Sequence, residues 1–135
     1  MKIYLSHAIR GAKGEAATRE DQAANCQKAR MFAARLRDSI RRALTCGVGW
    51  CEVECREGLL VLAGYDTIYV PAEHEEFVQA AYNCGALSIE QILAIDCMIV
   101  STCGALVAYG PVSPGMQVEI DYAVERNIPV YYVKE

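Results

Sequence analysis

No apolar run in this 135-residue chain approaches the roughly 20 residues of a membrane span, and the opening Met1-Lys2-Ile3-Tyr4-Leu5-Ser6 turns polar too soon for a secretory h-region. A soluble, membrane-free protein is therefore expected. Internal repeats and low-complexity tracts are missing as well, which excludes solenoids and flexible tethers. Positive charge is scarce: 13 Lys and Arg stand against 17 Asp and Glu, for a formal net charge of −4. A general nucleic-acid binder needs the opposite field to neutralise phosphates, so that class is disfavoured. The one basic segment, Arg30 to Arg42, alternates its arginines with Met31, Phe32, Leu36 and Ile40 at helical spacing, which reads as a solvated helix face.

Paired C-x2-C units are also lacking. The seven cysteines include one cluster, Cys46, Cys51 and Cys55, which His74 could complete as a metal set, but the spacing fits neither a zinc ribbon nor a finger. Cys84, Cys97 and Cys103 sit in apolar stretches and read as packing residues. Nothing signals secretion, so reduced thiols and a cytoplasmic location are expected. The glycines between His7 and Gly14 match neither a G-x-G-x-x-G fingerprint nor a Walker A loop. That pattern disfavours dinucleotide dehydrogenases and ATPases. Neither a metal nor an organic cofactor is expected.

What remains is an apolar fraction of 53% in a length suited to one domain spanning residues 1–135. Lys2 to Ser6 reads as a strand that stops at a polar loop, His7 to Gly14. Thr18 with Asp21 three residues later makes a helix cap, and apolar residues at 29, 32, 36, 40 and 43 carry one stripe to about Leu44. Between Thr45 and Gly64 the glycine-punctuated runs Val48 to Val53 and Leu59 to Ala63 suggest an inserted hairpin or loop. Thr67 to Pro71 is read as a buried strand, and Glu73 to Cys84 and Ser88 to Ile95 as helices. Cys97-Met98-Ile99-Val100 is read as a strand covered on both faces. A Gly-containing loop, a helix from about Met116 to Arg126 and a strand from Ile128 to Val133 follow. This alternation predicts the α/β class: a single-domain Rossmann-like (flavodoxin-like) parallel sheet with helices on both faces.

In such a fold the site lies where the strands end at their carboxyl side. The candidates are Ser6, His7, Arg10 and Gly11 after the first strand, and Glu73 and His74 after the middle one. After the strand read at 97–100 come Ser101, Thr102, Ser113 and the helix bearing Glu119. Ser113 is a good N-cap, Pro114 suits the first helical position, and Gly115 admits close approach of a ligand to the backbone. Free N–H groups and the helix dipole there attract anions, to which Arg10 could add a bidentate contact. A carboxylate such as Glu119, set in an apolar stretch one turn into the helix, could attack an anomeric carbon.

Two segments together resemble the nucleoside 2-deoxyribosyltransferase-like superfamily, and within it the 2′-deoxynucleoside 5′-phosphate N-hydrolases. They are Ile3-Tyr4-Leu5-Ser6-His7-Ala8-Ile9-Arg10-Gly11 and Ser113-Pro114-Gly115-Met116-Gln117-Val118-Glu119-Ile120-Asp121-Tyr122-Ala123. The resemblance implies that Glu119 is the nucleophile and Tyr4 the phenol that orients it. It also implies that Arg10, with the Ile9–Gly11 loop and Ser113, holds a 5′-phosphate, while Ile9 and Gly11 border the sugar and base. Ser113 favours a nucleotide over a nucleoside. His7 replaces a glycine of that loop. Where the family carries a catalytic aspartate this chain has Ser88, with Glu90 nearby, so the proton donor to the leaving base is unassigned; Asp96 is expected to cap the entry to the central strand.

The resemblance thus implies an N-glycosidase or glycosyltransferase acting on a nucleoside 5′-monophosphate, with a small-molecule nucleotide as its partner. A homodimer is expected separately, because dimers are common for small sheets of this kind. Two alternatives stand beside it. One is a nucleotide-binding module without turnover, and the other is an enzyme that cleaves the nicotinamide–ribose bond of a dinucleotide.

Overall fold

The computed structural model describes residues 1–9, 13, 16–47, 50–55, 58–63, 65 and 67–135, with 50–55 and 58–63 described by their backbone alone. The chain runs through β1 (Lys2–His7), α1 (Arg19–Thr45), β2 (Trp50–Cys55), β3 (Gly58–Ala63) and β4 (Thr67–Tyr69). A single 3-10 turn (Pro71–His74) leads into α2 (Glu75–Asn83). Then come α3 (Ile89–Val100), β5 (Ala105–Tyr109), α4 (Pro114–Glu125) and β6 (Val130–Val133).

Four strands form one parallel sheet in the order β4-β1-β5-β6. Four helices accompany it, and the fold is α/β and Rossmann-like. The chain leaves β1 for β4 on one side, then crosses to β5 on the other. The order therefore reverses between β1 and β5, and a crevice at their carboxyl ends is the place this architecture offers a ligand.

Strand alternation decides which side chains meet on each face. Ile3 and Leu5 of β1 join Ile68, Val70, Val107 and Val133 beneath Cys26, Ala29, Ala33, Leu36 and Ile40 of α1. Tyr4, one residue out of phase, joins Leu106 and Ala108 on the opposite face, against Val100 of α3 and Met116, Ile120 and Ala123 of α4. Helices therefore cover both faces.

Local chemistry starts each helix that matters. Thr18 Oγ1 accepts from the Asp21 N–H at 3.1 Å while Asp21 Oδ2 accepts from the Thr18 N–H at 2.9 Å, a reciprocal cap worth about 1 kcal/mol. The basic stretch of α1 is not a purely solvated face. Arg37 ion-pairs with Glu73 at 2.5 Å and donates to the Ile68 carbonyl, and Arg30 donates to the Ala72 carbonyl at 3.0 Å. These two arginines fasten α1 to the connection after β4. The hairpin expected between 45 and 64 is present as β2 paired antiparallel with β3, from Trp50 opposite Ala63 to Cys55 opposite Gly58.

The structure overturns several assignments: Cys84, read as a packing residue, is an exposed thiol at the end of α2, and the strand expected at 97–100 is helix. Residues 97–100 are the last turn of α3, and the strand beside β1 is Ala105–Tyr109, a stretch the sequence reading treated as loop. Ser88 and Gln91 form a capping box that starts α3, and no glycine or proline interrupts it before Gly104. Ser101 and Thr102 consequently lie at the amino end of β5, away from the crevice. Their hydroxyls donate back to the Met98 and Ile99 carbonyls.

Among the described residues no helix is long and apolar enough to cross a membrane.

Candidate functional site

The site is assembled by β1 and α4, elements more than a hundred residues apart in the chain. Gly110, at φ +77°, turns the backbone out of β5, its N–H bonded to the Val133 carbonyl at 2.8 Å. A left-handed residue at this bend favours glycine. Three residues on, Ser113 caps α4: its Oγ accepts from the Met116 N–H at 3.2 Å, and Pro114 follows at the first helical position. A Cβ at Gly115 would meet nothing closer than 3.9 Å, so packing among the described residues does not demand glycine there.

One turn into α4, Glu119 points into the protein and is only 6% exposed. Tyr4 donates its phenolic hydrogen to Glu119 Oε2, and Ser6 donates to Oε1 at 2.9 Å. Both donors are fully buried, and both sit on the even-numbered face of β1 that looks toward α4. Each carboxylate oxygen thus has its own fixed hydroxyl, which sets the rotation of the group. Burial lifts the Glu119 carboxyl to about 7; the Tyr4 hydrogen bond opposes that rise, the charge of Asp96 adds to it, and the Ser6 hydrogen bond opposes it. Among the described residues no cation pairs with Glu119. The Tyr4 hydroxyl is pushed far above its ordinary range, chiefly by burial and then by the Glu119 charge, so it remains a donor.

Asp96 is the group that sequence reasoning passed over. It does not cap a strand. It lies in the middle of α3, where burial raises its carboxyl to about 6, and its charge acts on Glu119, Tyr4 and Tyr69. Two carboxyls raised by burial, the charge of one acting on the other, therefore share this side of the sheet. The signal available in the sequence was the length of the helix begun at Ser88, which carries Asp96 to the α3 face packed on α4. Ser88 itself is the N-cap of α3, and Glu90 lies exposed in its first turn.

The aromatic rings beside this pair are ordered. Tyr69 of β4 stacks on Tyr4 with centroids 5.6 Å apart, and His74 stacks on the other side of Tyr69 at 5.2 Å. Glu73 is engaged by Arg37 and takes no part.

The remaining predicted residues divide as follows. His7 is buried on the α1 face, opposite Glu119. Ile9 is half-buried and packs on the α1-side core, its carbonyl accepting from Asn25 Nδ2 at 3.0 Å. Ser113 and Gly115 are half-exposed at the start of α4. Arg10 and Gly11 lie outside the described residues. Cys46 is an exposed free thiol, while the side chains of Cys51 and Cys55 lie outside the described residues. Among the described residues no group of three or more His, Cys, Asp or Glu is placed to hold a metal ion.

No protein-family model, curated protein or solved structure matches the chain.

Proposed function

We propose that this protein cleaves the N-glycosidic bond of a nucleoside 5′-monophosphate through a glycosyl-enzyme formed on Glu119. The observation that carries the reading is a buried carboxylate with an oxygen each on Tyr4 and Ser6, poised near neutrality beside a second carboxyl, Asp96. The reactive form has Glu119 ionised and Asp96 protonated; with Glu119 raised to about 7 and Asp96 to about 6, it is the minor of the two one-proton forms of the pair. Ionised Glu119 attacks C1′, the C1′–N bond breaks, and protonated Asp96 gives its proton to the departing base nitrogen. Asp96, now ionised, takes a proton from water as that water attacks C1′, releasing the sugar phosphate and freeing Glu119. Tyr4 and Ser6 hold the carboxylate in one orientation and stay protonated throughout. The start of α4 offers the Gly115 N–H and the positive end of the helix dipole to the 5′-phosphate; Pro114 has no N–H and that of Met116 is held by Ser113.

Incubation with a panel of ribo- and deoxynucleoside 5′-monophosphates should release free base, detected chromatographically. Glu119→Ala should lower that rate by at least about 10³-fold, as loss of a nucleophile does. Unaltered turnover in this variant would sink the assignment.

The near-complete burial of Glu119 favours one second reading, a nucleotide-binding module without turnover. Calorimetric binding of a nucleotide with no base released from any member of the panel decides for it.

A further inference from the structure

Tyr69 carries a hydroxyl that nothing in the carboxylate cluster uses. The residue closes β4 in parallel register with Tyr4 of β1, and alternation sends both side chains to the α4 face of the sheet while Ile68 turns to α1. Its ring is fixed from both sides. Tyr4 lies 5.6 Å away at 26°, and His74 covers the opposite face at 5.2 Å and 15°. Two phenols therefore leave neighbouring strands side by side, and only one of them is engaged, the Tyr4 hydroxyl on Glu119 Oε2.

The second is open. Among the described residues the Tyr69 hydroxyl has no hydrogen-bond partner, and the only buried polar side-chain atoms without one are the two nitrogens of His7. The hydroxyl of half-buried Tyr69 is therefore accessible, and the same holds for the unpartnered carboxyl of half-buried Asp96. Both carboxyls act on this phenol. Burial first, then the charges of Asp96 and Glu119, push it above its ordinary range, so it stays a donor at neutral pH.

The geometry of a nucleoside says what such a donor meets. In a β-nucleoside the base departs from one face of the sugar and the nucleophile arrives on the other, where the 2′-hydroxyl of ribose also projects from the adjacent carbon. A donor beside the attacking carboxylate thus has two acceptors within reach, that hydroxyl and the ring oxygen. Donation to the ring oxygen would withdraw the electrons that stabilise an oxocarbenium-like transition state, so it opposes the reaction. The 2′-hydroxyl instead accepts from a phenol while giving its own hydrogen to a carboxylate, and bonds to that group strengthen in the transition state.

We propose that Tyr69 reads the 2′-hydroxyl of the sugar and so directs this site to ribonucleoside 5′-monophosphates over their 2′-deoxy counterparts. The choice of a sugar rests on the nucleotide reading given above; the open phenol beside Glu119 does not.

Tyr69→Phe keeps both ring contacts and removes only the hydroxyl. Base release from a ribonucleoside 5′-monophosphate and from the 2′-deoxy compound of the same base is compared in parent and variant. Deoxy sugars lose their base more readily by nature, so the reading is the change in the ratio of the two kcat/KM values. The variant should lose at least about tenfold on the ribonucleotide and no more than about twofold on the deoxynucleotide. No loss, an equal loss on both or a larger loss on the deoxynucleotide overturns the proposal. If Tyr69→Phe does not fold, the unmodified protein decides by calorimetry. Ribose 5-phosphate, a product that is not turned over, should then bind at least about threefold more tightly than 2-deoxyribose 5-phosphate, and equal or weaker binding overturns the proposal. Nucleotides cleaved with the ratio unchanged would remove this inference and leave the glycosidase. Nucleotides bound but not cleaved, with the ribo preference lost in Tyr69→Phe, would do the reverse, and a protein that neither binds nor cleaves them removes both.

Discussion

The two faces of β1 are built to different ends. Facing α1, Ile3 and Leu5 bury apolar surface against small and aliphatic side chains and hold the sheet to its longest helix. Facing α4, Tyr4 and Ser6 are equally inaccessible, yet their polar atoms close on a carboxylate whose charge burial resists. One face lowers the free energy of the fold, and the other holds a buried ionisable group at a cost in stability. A strand two residues apart on one side and one residue out of step on the other can serve both ends because its side chains alternate.

Asp96→Asn should sharpen this contrast most. Removing a general acid lowers the rate of base release by about 10²–10⁴-fold, with little change in thermal midpoint. The parent rate should fall below about pH 6 and above about pH 7, where the pair holds two protons or none, whereas the variant keeps only the limb set by Glu119. A flat pH profile in the parent protein would break the pairing.

Leu5→Ala on the other face should cost about 2–5 kcal/mol of unfolding free energy, measured by denaturant titration, because it empties a fully buried site. It should leave the pH profile of the folded fraction where it was.

Glu119→Gln should act in the opposite direction on stability. The folded protein holds the Glu119 proton up to about 7 against an ordinary 4.5, so the folded state binds more protons between those values. The contribution is favourable below about 4.5 and declines as pH rises through about 7. The total is on the order of 3 kcal/mol. At pH 8 the variant should be more stable than the parent by a comparable amount, and at pH 4 the two should coincide. A variant that is less stable at both pH values would show that Tyr4 and Ser6 need the charge.

The smallest effect is expected of Gly115→Ala. Nothing within 3.9 Å opposes a Cβ, and a helix gains roughly 0.5–1 kcal/mol when alanine replaces glycine. Stability should rise slightly, while a weakened KM for the nucleotide with kcat unchanged would mark this backbone as the place where phosphate comes close.

Much of this arrangement was legible in the sequence because local signals agreed with the tertiary result. The Thr18 and Ser113 caps, the abrupt end of β1 and the apolar stripe of α1 each depend on neighbours close in the chain. The segment from 97 to 105 was misread for a physical reason. Four consecutive apolar residues suit a buried strand and the end of a helix alike, and periodicity does not separate them over so short a run. Met98 is exposed, as one side of a helix should be, whereas the strand Ala105–Tyr109 is buried throughout. Misplacing that strand also hid Asp96, whose meaning depends on being in the middle of a helix. The pairing of Glu119 with Tyr4 entered through resemblance. Its Ser6 contact, and the idle nitrogens of His7, became visible only when the two ends of the chain were brought together.

Tyr4 and Ser6 reach Glu119 across sequence separations of 115 and 113 residues. During synthesis, then, more than a hundred residues after Ser6 must be made before the carboxylate can meet its hydroxyls, and no proteolytic fragment lacking either β1 or α4 can reconstitute the cluster alone. The proposed base-releasing activity should therefore vanish together with global structure in a denaturant titration, which makes it a faithful gauge of the intact native state.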